Sequence, residues 1–156
     1  MRTRRCYRPL RPAVSPVPAV HVPERSVMTI RRISSGPGLP AGFPFSLGSE
    51  EGGTLYISGM PALDRDGNFV PGTFDEEADR AWANVIAIAA AAGYFPGDLL
   101  YVQVLLGDIG NYAGINDWWR RQFPDPASAP ARLTFQAGAL PFGAKIELQA
   151  VAARGR

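Results

Sequence analysis

The chain has 156 residues, 46% of them hydrophobic and 19% charged, with a formal net charge of +2. A folded chain of this length hides roughly 68–70% of the surface its unfolded form exposes, enough for one core without metal or disulfide staples. No apolar run approaches the ~20 residues that cross a bilayer, so no membrane-spanning helix is expected.

The charge is unevenly spread. Residues 1–27 carry six Arg against Glu24, while the remaining body holds ten basic and 13 acidic residues. A mildly acidic body without a basic stripe argues against nucleic-acid binding. The only His (His21) and the only Cys (Cys6) also lie in residues 1–27. Residues 28–156 therefore cannot build a Ser-His-Asp triad, a Cys nucleophile, a zinc cluster or a disulfide framework. The one lysine, Lys145, leaves little room for Schiff-base chemistry. Carboxylates, arginines, hydroxyls, backbone groups and water remain.

Residues 1–27 contain prolines at 9, 12, 16, 18 and 23, which forbid a continuous helix and favour extended, solvated chain. Disorder is expected there. A secretory leader would need an apolar segment that this stretch lacks, and a transit peptide would need an amphipathic helix that its prolines oppose. The simplest reading is that translation starts at Met28, with a cytoplasmic location.

Within the body, Thr54–Ser58 alternates apolar and polar residues and stops at Gly59, as a strand would. Weaker strand candidates precede it near Thr29–Ile33 and Phe45–Leu47. Asp66-Gly67 and Pro71-Gly72 mark turns. Asp64 and Asp66 lack the remaining ligand positions of a calcium loop.

Thr73 and Glu76 have capping-box spacing, followed by an apolar stripe at Ala78, Ala81, Trp82, Val85, Ile88, Ala89 and Ala92 and a stop at Gly93. Leu99–Leu106 reads as a buried strand. Asp108 is positioned to cap a second helix over Asn111–Gln122, with Tyr112, Ile115, Trp119 and Phe123 on one face before Pro124 ends it. On this reading Trp82 and Trp119 belong to packing rather than to a base-stacking platform. Arg132–Ala137 and Lys145–Ala153 read as two further strands. One sheet with both helices on one face accommodates this order.

Arg132 and Glu147 stand out as charges in strongly apolar strands. Spacing alone leaves three readings open: an ion pair tying adjacent strands, two residues pointing to solvent, or a functional pair.

Five stretches carry a resemblance: FPFS (43–46), LYISGMPALDRDGNFVPG (55–72), WANVIAIAAAAG (82–93), APAR (129–132) and ALPFGAKIELQAVAA (139–153). In order and spacing they resemble the RidA/YjgF family of reactive-imine deaminases across about residues 30–154. The resemblance implies an α+β, chorismate-mutase-like single sheet with two helices on one face. It also implies a homotrimer with active clefts between neighbouring subunits and no metal or organic cofactor. The implied reaction is hydrolytic deamination of 2-imino or 2-enamino acids to 2-oxo acids and ammonia. Arg132 would clamp the substrate carboxylate and Glu147 would position water. Ser58 and Gly59 match the segment lining the cleft. Phe45 stands where Tyr is usual and Thr134 where Cys is common. Loss of the hydroxyl at Phe45 is expected to favour bulkier imino acids. A non-catalytic trimer that only binds a small carboxylate or a partner is the competing reading, and RNA cleavage is disfavoured by the acidic body without histidine.

Overall fold

Thr73 and Glu76 cap the first helix reciprocally in the computed structural model, which describes residues 29–36 and 38–154. The Glu76 carboxylate accepts the Thr73 amide at 2.7 Å, and the Thr73 hydroxyl accepts the Glu76 amide at 3.3 Å. Helix α1 (Phe74–Ala91) follows, and the chain leaves it through Gly93 at φ 83°. The expected stripe faces inward: Ala78, Ala81, Val85, Ile88, Ala89 and Ala92 are buried, with Trp82 half-buried against them. The disorder expected for residues 1–27 and a start at Met28 lie outside the described residues.

Six strands form one mixed sheet: β1 (Arg31–Ile33), β2 (Gly48–Glu51), β3 (Thr54–Met60), β4 (Leu99–Leu106), β5 (Ala131–Gln136) and β6 (Ile146–Ala153), in the order β1-β2-β3-β6-β4-β5. Only β4 and β5 run parallel, joined through helix α2 (Tyr112–Gln122) as a parallel pair requires. The α+β single sheet is as expected. The strand candidate at Phe45–Leu47 is not formed. Gly52 and Gly53, both at positive φ, turn the chain between Glu51 and Thr54 and set the β2–β3 register, and regular β2 reaches back only to Gly48. Phe45 is left in a bend, free to face elsewhere.

Leu55 and Ile57 of β3, Val102, Val104 and Leu106 of β4, and Ile146, Leu148, Ala150 and Ala152 of β6 are buried in one cluster with α1 and with Ile115 and Trp118 of α2. Both helices thus cover one face. The opposite face carries Tyr56, Leu133 and Phe135 exposed.

The second helix departs from expectation in detail. Asp108 caps a short 3₁₀ turn, Ile109–Asn111, through Gly110 N–H at 2.8 Å, and α2 proper begins at Tyr112. Trp118, not Trp119, is the buried tryptophan, and Tyr112 is exposed. The shift has a polar cause. The Trp118 indole N–H donates to Asp79 on α1 at 2.7 Å, the partner a buried indole needs, which turns Trp119 toward β5.

Helix α1 has two buried polar side chains, and each holds a loop. Asn84 donates to the carbonyls of Pro61 and Leu63. Glu77, 1% exposed, accepts the Gly72 amide, the Lys145 amide at 2.8 Å and the Lys145 ammonium at 2.8 Å. Lys145 is therefore committed to a structural pair, its Nζ also donating to the Gly72 carbonyl at 2.8 Å. Lys145→Met is expected to leave the Glu77 carboxylate with its backbone donors alone and lower stability by about 1–2 kcal/mol, less than for a fully buried pair because the Lys145 side chain is 43% exposed. Denaturant midpoints check this, and an unchanged midpoint would show that backbone donors alone suffice.

Candidate active site

Cross-strand register fixes where the two singled-out charges point. Arg132 pairs with Val102, whose side chain is in the helix-covered core, whereas Glu147 pairs with Leu105, three residues along the same strand β4. Residues three apart on a strand face opposite sides. Arg132 and Glu147 therefore project from opposite faces of the sheet, with β4 between their strands. No ion pair among the described residues involves either of them. The open reading of an Arg–Glu pair tying adjacent strands is excluded.

Each charge has its own hollow. Glu147 lines a cavity of about 400 Å³ together with Phe45, Ser58, Gly59 and Phe142. A bulge builds it. Between Ile57 and Met60 strand β3 slips against β6, so that Ser58 and Gly59 together oppose a single residue. A Cβ on Gly59 would collide with the Glu147 carboxylate Oε1. Glycine is thus required at this point for the carboxylate to lie across the strand. Burial without a cationic partner pushes the Glu147 carboxyl above the usual carboxylate range. The Ser58 hydroxyl, which lines the cavity, donates to the Ser46 carbonyl at 2.8 Å.

Arg132 lies in a second hollow, about 370 Å³, on the edge strand. Its Nη2 donates to Asn116 Oδ1 at 2.5 Å, and its Cζ sits 5.0 Å from the centre of the Trp119 ring. Stacking and this one bond fix the plane of the guanidinium while leaving other N–H donors free. Thr134 follows on the same strand face, and its Oγ1 is buried with no hydrogen-bond partner among the described residues.

The six expected site residues thus fall into two groups, Phe45, Ser58, Gly59 and Glu147 around one cavity, and Arg132 and Thr134 on the opposite face. One chain does not bring them together. Asn116 and Trp119, which hold Arg132, were not legible as site residues, since a polar residue on a helix and a tryptophan on an apolar stripe both read as ordinary packing. Asn84, Glu77 and Phe142 were missed as well. Asp64 acts as the turn residue expected, its carboxylate accepting the Asp66 and Asn68 amides at 2.9 Å. Among the described residues no group of His, Cys, Asp and Glu could hold a metal ion.

A family model described as Endoribonuclease L-PSP matches residues 38–154. The chain belongs to this family, the RidA/YjgF group that its motifs resemble. Goat 2-iminobutanoate/2-iminopropanoate deaminase, a member by likeness, is 38% identical over 128 residues, covering 81% of this chain and 92% of the goat protein. Mitochondrial protein mmf2 of Schizosaccharomyces pombe is 36% identical over 74% of this chain and 91% of its own length. Among solved structures, the YjgF gene product of E. coli superposes with a TM-score of 0.72 at 27% identity, covering 80% of this chain and all of that one. E. coli TdcF, solved with bound serine, gives 0.71 at 28% identity over 80% of this chain and all of its own. The RidA/YjgF fold therefore spans almost all the described residues.

A small substitution tests the Gly59 contact. Gly59→Ala is expected to push the Glu147 carboxylate off the strand, since the added Cβ would overlap its Oε1. A crystal structure of the variant checks the displaced carboxylate, and an unmoved Glu147 would contradict the contact.

Proposed function

We propose that the protein hydrolyses 2-imino acids and their 2-enamine tautomers to 2-oxo acids and ammonia. The cleft forms where two copies in a homotrimer bring the Arg132 hollow of one against the Glu147 cavity of the other. The observation that carries this is a division of labour: a planar cation with free donors in one hollow, and in the other a half-buried carboxylate that pairs with no cation among the described residues. Relatives at 36–38% identity named 2-iminobutanoate/2-iminopropanoate deaminase support the chemistry.

The chemistry asks for little. Water adds to the sp² carbon, nitrogen takes up protons, and the C–N bond breaks to leave a 2-oxo acid and ammonia. Arg132 meets the substrate carboxylate through parallel N–H donors, which fixes the plane of the C=N group. The Thr134 hydroxyl gains the partner that it lacks among the described residues. Glu147, ionised, accepts a proton from the attacking water and passes it toward nitrogen. No metal or organic cofactor takes part in this scheme.

The same scaffold without turnover would be a binding module for small carboxylates, and one assay separates the readings. An amino-acid oxidase generates imino acids, the purified protein is added, and loss of semicarbazide-trappable imine is followed. Accelerated loss supports the deaminase. No acceleration, with measurable 2-oxo acid binding, supports the module, and cleavage of added RNA would support the third reading. A cytoplasmic site of action belongs to this proposal. No helix of the described residues is long and apolar enough to cross a membrane, and fractionation would separate the cytoplasm from the compartment in the name of the yeast relative.

A further inference from the structure

The Glu147 cavity is walled almost wholly by carbon. Among its lining residues only Ser58 and Glu147 have polar side chains, and the Ser58 hydroxyl hydrogen is already given to Ser46. Three aromatic rings contribute, Phe43, Phe45 and Phe142. Phe43 and Phe45 lie 5.2 Å apart at 30°. Phe142 comes from the turn ahead of β6 and stacks on Phe69 at 5.8 Å and 14°.

Phe142 is costly to the chain in two ways. It sits at φ 61°, ψ 8°, the one non-glycine residue with positive φ among the described residues. It occupies the third position of a turn closed by Gly143 N–H to the Leu140 carbonyl at 3.2 Å, a position that favours Gly or Asn. The residue is also 63% exposed, so burial among the described residues does not account for it. A bulky residue held in the left-handed region concentrates at ligand sites, where the gain is made on binding.

We infer that this cavity selects imino acids with aromatic side chains, and that Phe142 is a specificity-determining residue. The inference rests on the deaminase reading. The substrate carboxylate belongs to Arg132, so the cavity receives only the imine and the side chain. Its lining includes no cation to meet a charged side chain, and a polar one would be desolvated without a partner. A methyl group would leave most of about 400 Å³ unfilled, whereas a phenyl ring reaches Phe45 and Phe142 at offset or edge-on geometry.

The test compares kcat/KM for imines generated from phenylalanine, leucine and alanine, in the full chain and in Phe142→Asn. Asparagine tolerates the left-handed backbone, so the turn is kept and the ring removed. The phenylalanine-derived imine is expected to be preferred over the alanine-derived one by about tenfold or more, and the variant to lose about tenfold of that ratio, mainly through KM. Preference for the alanine- or leucine-derived imine, or an unchanged ratio in the variant, overturns the inference. If no imine is turned over, the deaminase reading fails on its own, and calorimetry with phenylpyruvate and pyruvate decides the pocket. Tighter phenylpyruvate binding that weakens in Phe142→Asn upholds the selectivity, and equal affinities overturn it.

Discussion

Arg132→Ala is expected to lower kcat/KM for imino acids by about a thousandfold, the loss of two charge-assisted hydrogen bonds at ~1.5–3 kcal/mol each. The guanidinium stands on an edge strand, stacked on Trp119 and bonded once to Asn116. It makes no ion pair among the described residues. Its removal should therefore cost function far more than fold. Steady-state imine loss measures the effect, and size-exclusion chromatography checks that the assembly survives. Arg132→Lys keeps the charge but not the plane, so it should recover only part of the rate. A wild-type rate in Arg132→Ala would remove the clamp from the mechanism.

Glu147→Gln keeps the size of the side chain and removes the base, so turnover should fall by roughly 10²–10⁴-fold while 2-oxo acid binding persists. Two pH effects follow from the raised carboxyl. The base works only when ionised, so activity should fall with acidification at a pH above that of an ordinary carboxylate, and this limb should vanish in the residual activity of the glutamine variant. For stability the sign runs the other way. With its folded pKa above the unfolded value, Glu147 adds stability below the unfolded pKa and loses it as pH rises through the folded one. At neutral pH the half-buried charge opposes folding, and Glu147→Gln should be at least as stable as the natural chain. A variant that loses activity and stability together would point to a structural role instead.

The fold was legible wherever local chemistry and burial agree. Thr73 and Glu76 announce a helix start in four residues, and the buried strands read as apolar runs. Phe45–Leu47 was misread because the β2–β3 register is set by a glycine turn several residues away. The face of α2 was displaced because Asp79, on the other helix, chooses which indole to bond. Motifs located Arg132, Thr134, Glu147, Ser58, Gly59 and Phe45, but nothing in the one-dimensional string shows that strand order separates them onto two faces. The β3 bulge and the left-handed turn at Phe142 are equally invisible, since both depend on which strand lies alongside.

In the proposed assembly the clamp and the base of one cleft come from different chains. Mixed assemblies of Arg132→Ala and Glu147→Gln test it most directly. Each parent keeps about a hundredth of the natural activity or less, but a mixed trimer restores an intact cleft wherever a chain with Arg132 abuts a chain with Glu147. Random mixing at equal amounts should bring back about a quarter of the natural activity. Mixtures that form yet stay as inactive as either parent would contradict a cleft shared between chains.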